Sequence, residues 1–226
     1  MQYFEFKDPK LQINDDIASL IAVSDLSERR LYLYGTIGDV DDNTEGRFDL
    51  CCLTATDIAR FIIDINRKDN LAEAEAAKEG ETFTRLPIWL YIDCLGGDVD
   101  EGMSLATVIS LSKTPIYTVN IGVWYSMAFI IGICGTRRLS LPNARFMFHD
   151  GYKGAMGPAS RVDEHMEASK RYERTVIKRV MLNHSNETFT DELYEKLYPH
   201  DNYLLAGEAL GYGFIDEIIT DLSGLG

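Results

Sequence analysis

The sequence predicts an α/β fold built on a mostly parallel sheet, and three observations carry that prediction. Short β-branched or apolar runs alternate with segments of helical spacing from about residue 30 to residue 149. Repeated strand, helix, strand order implies parallel pairing with right-handed crossovers. Three motif-bearing segments, 93–99 (DCLGGDV), 122–128 (GVWYSMA) and 141–149 (LPNARFMFH), fall at strand ends and helix starts, where such folds gather functional residues.

Taken in order, residues 30–35 (RLYLYG) read as a short strand ending in a turn. Residues 54–65 have helical spacing, with Ile58, Phe61, Ile62 and Ile65 on one face and Thr54 or Thr56 as N-cap. Residues 87–92 (PIWLYI) form an apolar strand running into the Gly96-Gly97 turn, and 100–112 form a helix. The β-branched run 115–121 is a strand broken at Gly122, and 127–134 is a buried apolar helix. Segments 138–141 and 145–149 complete the strand series. Two stretches stand apart. Residues 66–86 are rich in Ala, Glu and Lys and read as a solvated, charged insertion, in helix or loop. Residues 161–183 place Val162, Met166, Ser169, Tyr172, Val176 and Val180 at helical spacing, a long amphipathic helix whose stripe packs on its own domain or on a second subunit.

Composition sets the context. The chain has 226 residues, 46% hydrophobic and 26% charged, which fits a single domain over 1–226 with a sizeable core. A net charge of −14 opposes binding to a phosphate backbone, so no nucleic-acid partner is expected. Residues 114–136 carry no charge and are long enough to span a bilayer, but Pro115, the β-branched run and Gly122 break them into a strand and a shorter helix. No membrane partner is expected. Cys51, Cys52, Cys94 and Cys134 have neither C-x-x-C pairing nor metal-site spacing and read as reduced thiols. The first residues lack a basic segment followed by an apolar run, so the expected location is the cytoplasm.

The chemistry points to serine acyl transfer. A serine before an apolar run is most simply an N-cap, yet strand, turn, Ser126, helix also places the hydroxyl beside the unpaired N–H of Met127. The Gly96-Gly97 pair after another strand can expose a second N–H, because glycine adopts the required angles and leaves no side chain in the way. Two donors converging on one oxygen make an oxyanion hole. Among His149, His165, His184 and His200, only His149 ends an apolar strand. A carboxylate must orient that imidazole. Asp150 is adjacent, but strand neighbours point to opposite faces, and spacing does not choose among Asp201, Asp191 and Asp216.

From about residue 31 to residue 220 the chain resembles the proteolytic subunit of the Clp protease, ClpP, as a divergent member. The resemblance rests on 88–92 running into Gly96-Gly97, the Ser126-Met127 pair, 141–149, and 201–209 (DNYLLAGEA) followed by 212–216 (YGFID), in the family's order. It implies a ClpP/crotonase-type fold with Ser126 as nucleophile, His149 as base and Asp201 as orienting acid, and with the N–H groups of Gly97 and Met127 as oxyanion hole. It further implies that 150–183 form a handle, that 151–157 form a glycine-rich strand beside the substrate, and that chains assemble into heptameric rings stacked as a tetradecamer. The implied partners are unfolded protein substrates and an AAA+ unfoldase of the Clp type, whose loops would meet Trp89, Tyr91 and Leu111; no cofactor and no metal are implied. This chain departs from the family at Trp124 and Tyr125, where small residues are usual, at Leu95 in place of Pro, at Asp98, in the 66–86 insertion and over residues 1–30. The expected activity is a serine endopeptidase degrading unfolded proteins to short peptides. A crotonase-type acyl-CoA enzyme and a catalytically silent subunit of a mixed ring are the alternatives.

Overall fold

The computed structural model describes residues 28–38, 54–151, 154 and 156–225, so Cys51, Cys52 and most of the divergent N-terminal segment lie outside the described residues. Seven strands in that set form one sheet: β1 (Arg30–Ile37), β2 (Ile88–Gly97), β3 (Ile116–Tyr125), β4 (Arg137–Ser140), β5 (Arg145–Phe148), β6 (Asn202–Leu205) and β7 (Glu217–Ile218). Strands run in the order β1-β2-β3-β4-β7, all parallel, as the alternation of elements predicts. β5 joins β3 in parallel and β6 joins β5 antiparallel.

Alternation along the strands sorts side chains onto two faces. Leu31, Leu33, Ile88, Leu90, Ile92 and Ile116 are buried in the main core with Ile58 and Ile62 of α1 (Ala55–Glu79), Leu105 and Ile109 of α2 (Val99–Leu111), and Phe129 and Ile131 of α3 (Met127–Ile133). Each such side chain contributes roughly 1.5–3 kcal/mol on leaving water. The opposite face is aromatic: Tyr32 stacks on Tyr91, and Trp89 meets Tyr117 edge to face, around a smaller cluster of Val119, Leu139 and Ile219.

α1 corrects one expectation. Thr54 caps it through a reciprocal box with Asp57, and the helix then runs through the supposed insertion to Glu79, ending at Gly80 in a left-handed conformation with φ 75°. Ala, Glu and Lys are strong helix formers, so the charged stretch extends the helix it follows. Nor is that stretch wholly solvated. Asn66 donates to Ser112 Oγ (2.7 Å) and accepts from the N–H groups of Lys113 and Thr114, while Asp69, only 2% exposed, accepts from Arg29 (2.6 and 2.9 Å) and from the Thr114 hydroxyl (2.7 Å).

β3 does not break at Gly122 but changes partners there: Tyr117 to Asn120 pair with β4, and Val123 to Tyr125 with β5. The uncharged stretch 114–136 is thus strand plus buried helix, and among the described residues no helix is long and apolar enough to cross a membrane.

The long helix is interrupted. α4 (Ala159–Tyr172) passes into a π turn (Glu173–Ile177) and then α5 (Lys178–Asn183). One extra residue in the π turn advances the inward face, so Glu173, Ile177 and Met181 are buried, not Tyr172, Val176 and Val180. α4 itself has no buried residue. Of 151–157, expected as a strand, the described residues belong to none, and Tyr152, Lys153 and Ala155 lie outside the described residues. A strand there requires an edge to pair with. α6 (Asp191–Leu197) and α7 (Ala206–Gly211) flank β6 and return the chain to the sheet.

Candidate active site

Ser126 sits in the turn from β3 into α3 with φ 52° and ψ −120°. A non-glycine residue at positive φ is strained by about 1–3 kcal/mol and needs surrounding bonds to hold it. The Ser126 N–H donates to the carbonyl of Met147 on β5 (2.8 Å), and the Ser126 carbonyl accepts from Phe129 (3.1 Å) in the first turn of α3. Although Ser126 holds the N-cap position, its hydroxyl makes no capping bond. Instead Oγ donates to His149 Nε2 at 2.8 Å. The simple N-cap reading of this serine therefore does not describe it.

His149 follows β5 directly, and its side chain is 10% exposed. Its Nδ1 faces Asp201 Oδ1 at 3.2 Å. With the Nδ1–H donated to the carboxylate, Nε2 is left as the acceptor for Ser126, which fixes the tautomer. The antiparallel register of β5 and β6 explains which carboxylate faces the imidazole: Phe148 lies opposite Asn202, so the next pair outward is His149 and Asp201. Asn202 Nδ2 donates to the carbonyls of Leu197 and His200 (both 2.5 Å), which anchors the turn carrying Asp201. The other two carboxylates left open by spacing are engaged elsewhere. Asp216 accepts from the Arg138 guanidinium and backbone N–H, and Asp191 pairs with Lys178.

The Gly96-Gly97 turn closes against the serine. Gly96 has φ 91° and Gly97 φ 143°. A Cβ on Gly96 would lie 2.6 Å from the Tyr125 carbonyl oxygen and 2.8 Å from the Met127 nitrogen, and one on Gly97 would lie 2.0 Å from the Ile37 carbonyl oxygen. Only glycine permits that approach. The turn holding Gly97 is thereby pressed onto the start of α3, where the N–H of Met127 has no partner within the helix. Cys94 Sγ accepts the Gly96 N–H (3.4 Å), and burial pushes its thiol pKa up to about 11, so it stays neutral beneath the turn. Asp98 accepts from the Glu101 N–H (2.8 Å) and caps α2, which accounts for a carboxylate after Gly-Gly.

A cavity of about 780 Å³ opens over these groups, bounded by Gly97, Ser126 and His149 on one side and by Met166, Tyr172 and Ile177 of the interrupted helix on the other. Neither Trp124 nor Tyr125 lines it. Trp124 is fully buried against Gly132, which has no side chain to obstruct it, and edge to face with Phe146; Tyr125 packs edge to face on Tyr203 beneath Arg145.

Two residues near the site were not singled out from the sequence. Asp93 Oδ1 accepts the N–H of Val123 (2.9 Å); Asn120 accepts from the Gly122 N–H (3.1 Å) and donates to the Arg145 carbonyl (3.0 Å). A buried asparagine inside a β-branched run was the legible signal, since burial demands partners.

A family model described as Clp protease matches residues 59–221. The ATP-dependent Clp protease proteolytic subunit 2 of Treponema denticola is 33% identical over 135 residues, 58% of this chain and 66% of that relative. The corresponding proteolytic subunit of Streptococcus thermophilus is 31% identical over 140 residues (59% of this chain, 69% of the relative), and that of Streptococcus pneumoniae 28% over 166 residues (69% and 82%). The matched stretch spans about two thirds of the length of the first two relatives.

Proposed function

The chain belongs to the Clp protease family, as a divergent member with the ClpP-type fold, and from that premise we propose that it is the serine endopeptidase subunit of a ring-shaped, self-compartmentalised protease. The observation that carries the reading is the continuous chain from Ser126 Oγ through His149 to Asp201, beside two abutting backbone turns. In this reading His149 Nε2 takes the hydroxyl proton as Oγ attacks the scissile carbonyl carbon. The N–H groups of Gly97 and Met127 hold the oxygen as it gains charge, and the imidazolium passes its proton to the leaving amine. Water, deprotonated by the same imidazole, then attacks the acyl carbon, and as the acyl–Oγ bond breaks the imidazolium returns that proton to Ser126 Oγ, while Asp201 keeps Nδ1 protonated throughout. No residue outside this set has to supply a proton.

Assembly belongs to the same proposal. α4 buries none of its own residues, which fits a handle whose apolar positions, Val162 and Met166 among them, are covered by a facing ring of a tetradecamer. A closed cytoplasmic chamber of that kind admits folded proteins only after an AAA+ unfoldase of the Clp type has opened them. Leu111 at 78% exposure and the half-buried Trp89 offer apolar surface for the unfoldase's loops, whereas Tyr91, expected to share that contact, is buried within the sheet's own aromatic cluster at 7% exposure. Hydrolysis of a short fluorogenic peptide by the wild-type chain and by Ser126→Ala tests the chemistry. The variant should lose several orders of magnitude in rate while retaining its fold. Equal rates, or turnover of an acyl-CoA in place of the peptide, would overturn it.

A further inference from the structure

We propose that Asp93 is a positioning residue, which holds β3 in the bulged register that sets Ser126 and Met127 against the Gly96-Gly97 turn; this rests on the serine-protease reading above. Between β2 and β3 the parallel register slips. Ile92 lies opposite Asn120, yet Cys94, two residues on, lies opposite Trp124, four residues on. The two additional residues of β3 are taken up around Gly122, where the strand also exchanges β4 for β5. Such a bulge leaves ladder groups without strand partners. Side chains meet the need: Asn120 Oδ1 accepts the Gly122 N–H and Asp93 Oδ1 accepts the Val123 N–H.

The fit is close. A Cβ on Gly122 would fall 2.2 Å from Asp93 Oδ1 and 2.5 Å from its Cγ, so the carboxyl group lies flat on the glycine. Asp93 therefore bonds the bulge from β2, the strand that three residues later presents Gly96. Three residues beyond Val123 the other strand presents Ser126. One side-chain bond thus ties together the strand bearing the oxyanion turn and the strand bearing the nucleophile, just before both reach the site. Without it, Val123 can settle toward the regular register and shift Met127 relative to Gly97. Displacements of about 1 Å at such a site can reduce rate about 100-fold.

The role requires an acceptor oxygen, not a charge, and it acts on the transition state more than on binding. Peptide hydrolysis is measured for Asp93→Asn and Asp93→Ala, with amide hydrogen exchange over 120–127 and circular dichroism on each. Asp93→Asn, which retains an acceptor at Oδ1, should keep kcat within about threefold and keep Val123 protected. Asp93→Ala should lower kcat about 10- to 100-fold with KM nearly unchanged and accelerate exchange at Val123, the global fold being intact. Gly122→Ala, which strikes the carboxylate, should resemble Asp93→Ala, and the double variant should lose less than the two losses combined. Wild-type kcat in Asp93→Ala, or equal losses in Asp93→Asn and Asp93→Ala, would overturn the positioning role alone. A wild-type chain with no Ser126-dependent hydrolysis would instead overturn the serine reading, and in that case unaltered exchange at Val123 in Asp93→Ala would also remove the proposed bond.

Discussion

At the scale of single residues, the site depends on where backbone constraints place three side chains. Ser126 is held at positive φ by the Met147 carbonyl, His149 ends β5, and Asp201 precedes β6 in the register that faces it. Ser126 and His149 were singled out in the sequence by position, one between a strand and a buried helix and the other at a strand end, although an N-cap was the simpler use of that serine. The carboxylate that faces His149 was not legible from residues alone. Its selection depends on antiparallel pairing between β5 and β6, separated by about fifty residues of chain, and only the family resemblance pointed to it. Asp201→Asn should keep the side chain's shape but lose the charge that fixes the imidazole tautomer and supports its protonation. Its rate should fall by about 10⁴. Asp150→Asn should do far less, since Nδ1 already faces Asp201. Peptide hydrolysis rates of the two variants decide this, and an inactive Asp150→Asn beside an active Asp201→Asn would move the acid to the residue next to His149.

Elements were legible where one periodicity dominated and less so where tertiary pairing overrode it. The Ile58, Ile62 face and the Thr54 cap identified the start of α1, but its run to Glu79 reads as insertion only because charged residues give no apolar stripe. β3 kept its strand through Gly122 because Asp93 and Asn120 satisfy the bulge, information that no local pattern contains. The π turn at Glu173–Ile177 likewise shifts the buried face by one residue, invisible to a count of helical spacing. The extended α1 contributes stability through Asp69. Hydrogen bonding to the Arg29 guanidinium, more than burial opposes it, holds the Asp69 carboxyl below its ordinary pKa. A depressed folded pKa adds stability above the unfolded value and loses it as pH falls through the folded one, so this contribution fades as pH drops below about 4. Asp69→Ala takes the carboxylate from Arg29 and from the Thr114 hydroxyl, leaving Arg29 the Leu86 carbonyl and Thr114 its bond from Arg85, and should lower stability at pH 7 by about 2–4 kcal/mol. Denaturant unfolding at pH 7 and at pH 3 checks both parts: the deficit should shrink at the lower pH, and an equal deficit at both would contradict the linkage.

At the scale of the whole molecule, strand order and core follow from the alternation of apolar strands and helices, whereas the proposed assembly rests on surfaces that a single chain leaves uncovered. α4 and the described part of 151–157 bury little within one protomer, and the proposed ring would give each of them a partner. A serine nucleophile inside such a ring is the central claim, and chemical modification tests it most directly. The wild-type chain is treated with a fluorophosphonate, weighed in its native state and mapped by peptide mass. The account predicts one label per chain, on Ser126, in a species many times the 25.5 kDa of a single chain. A native chain that leaves Ser126 unmodified, or carries the label on another serine, would contradict it.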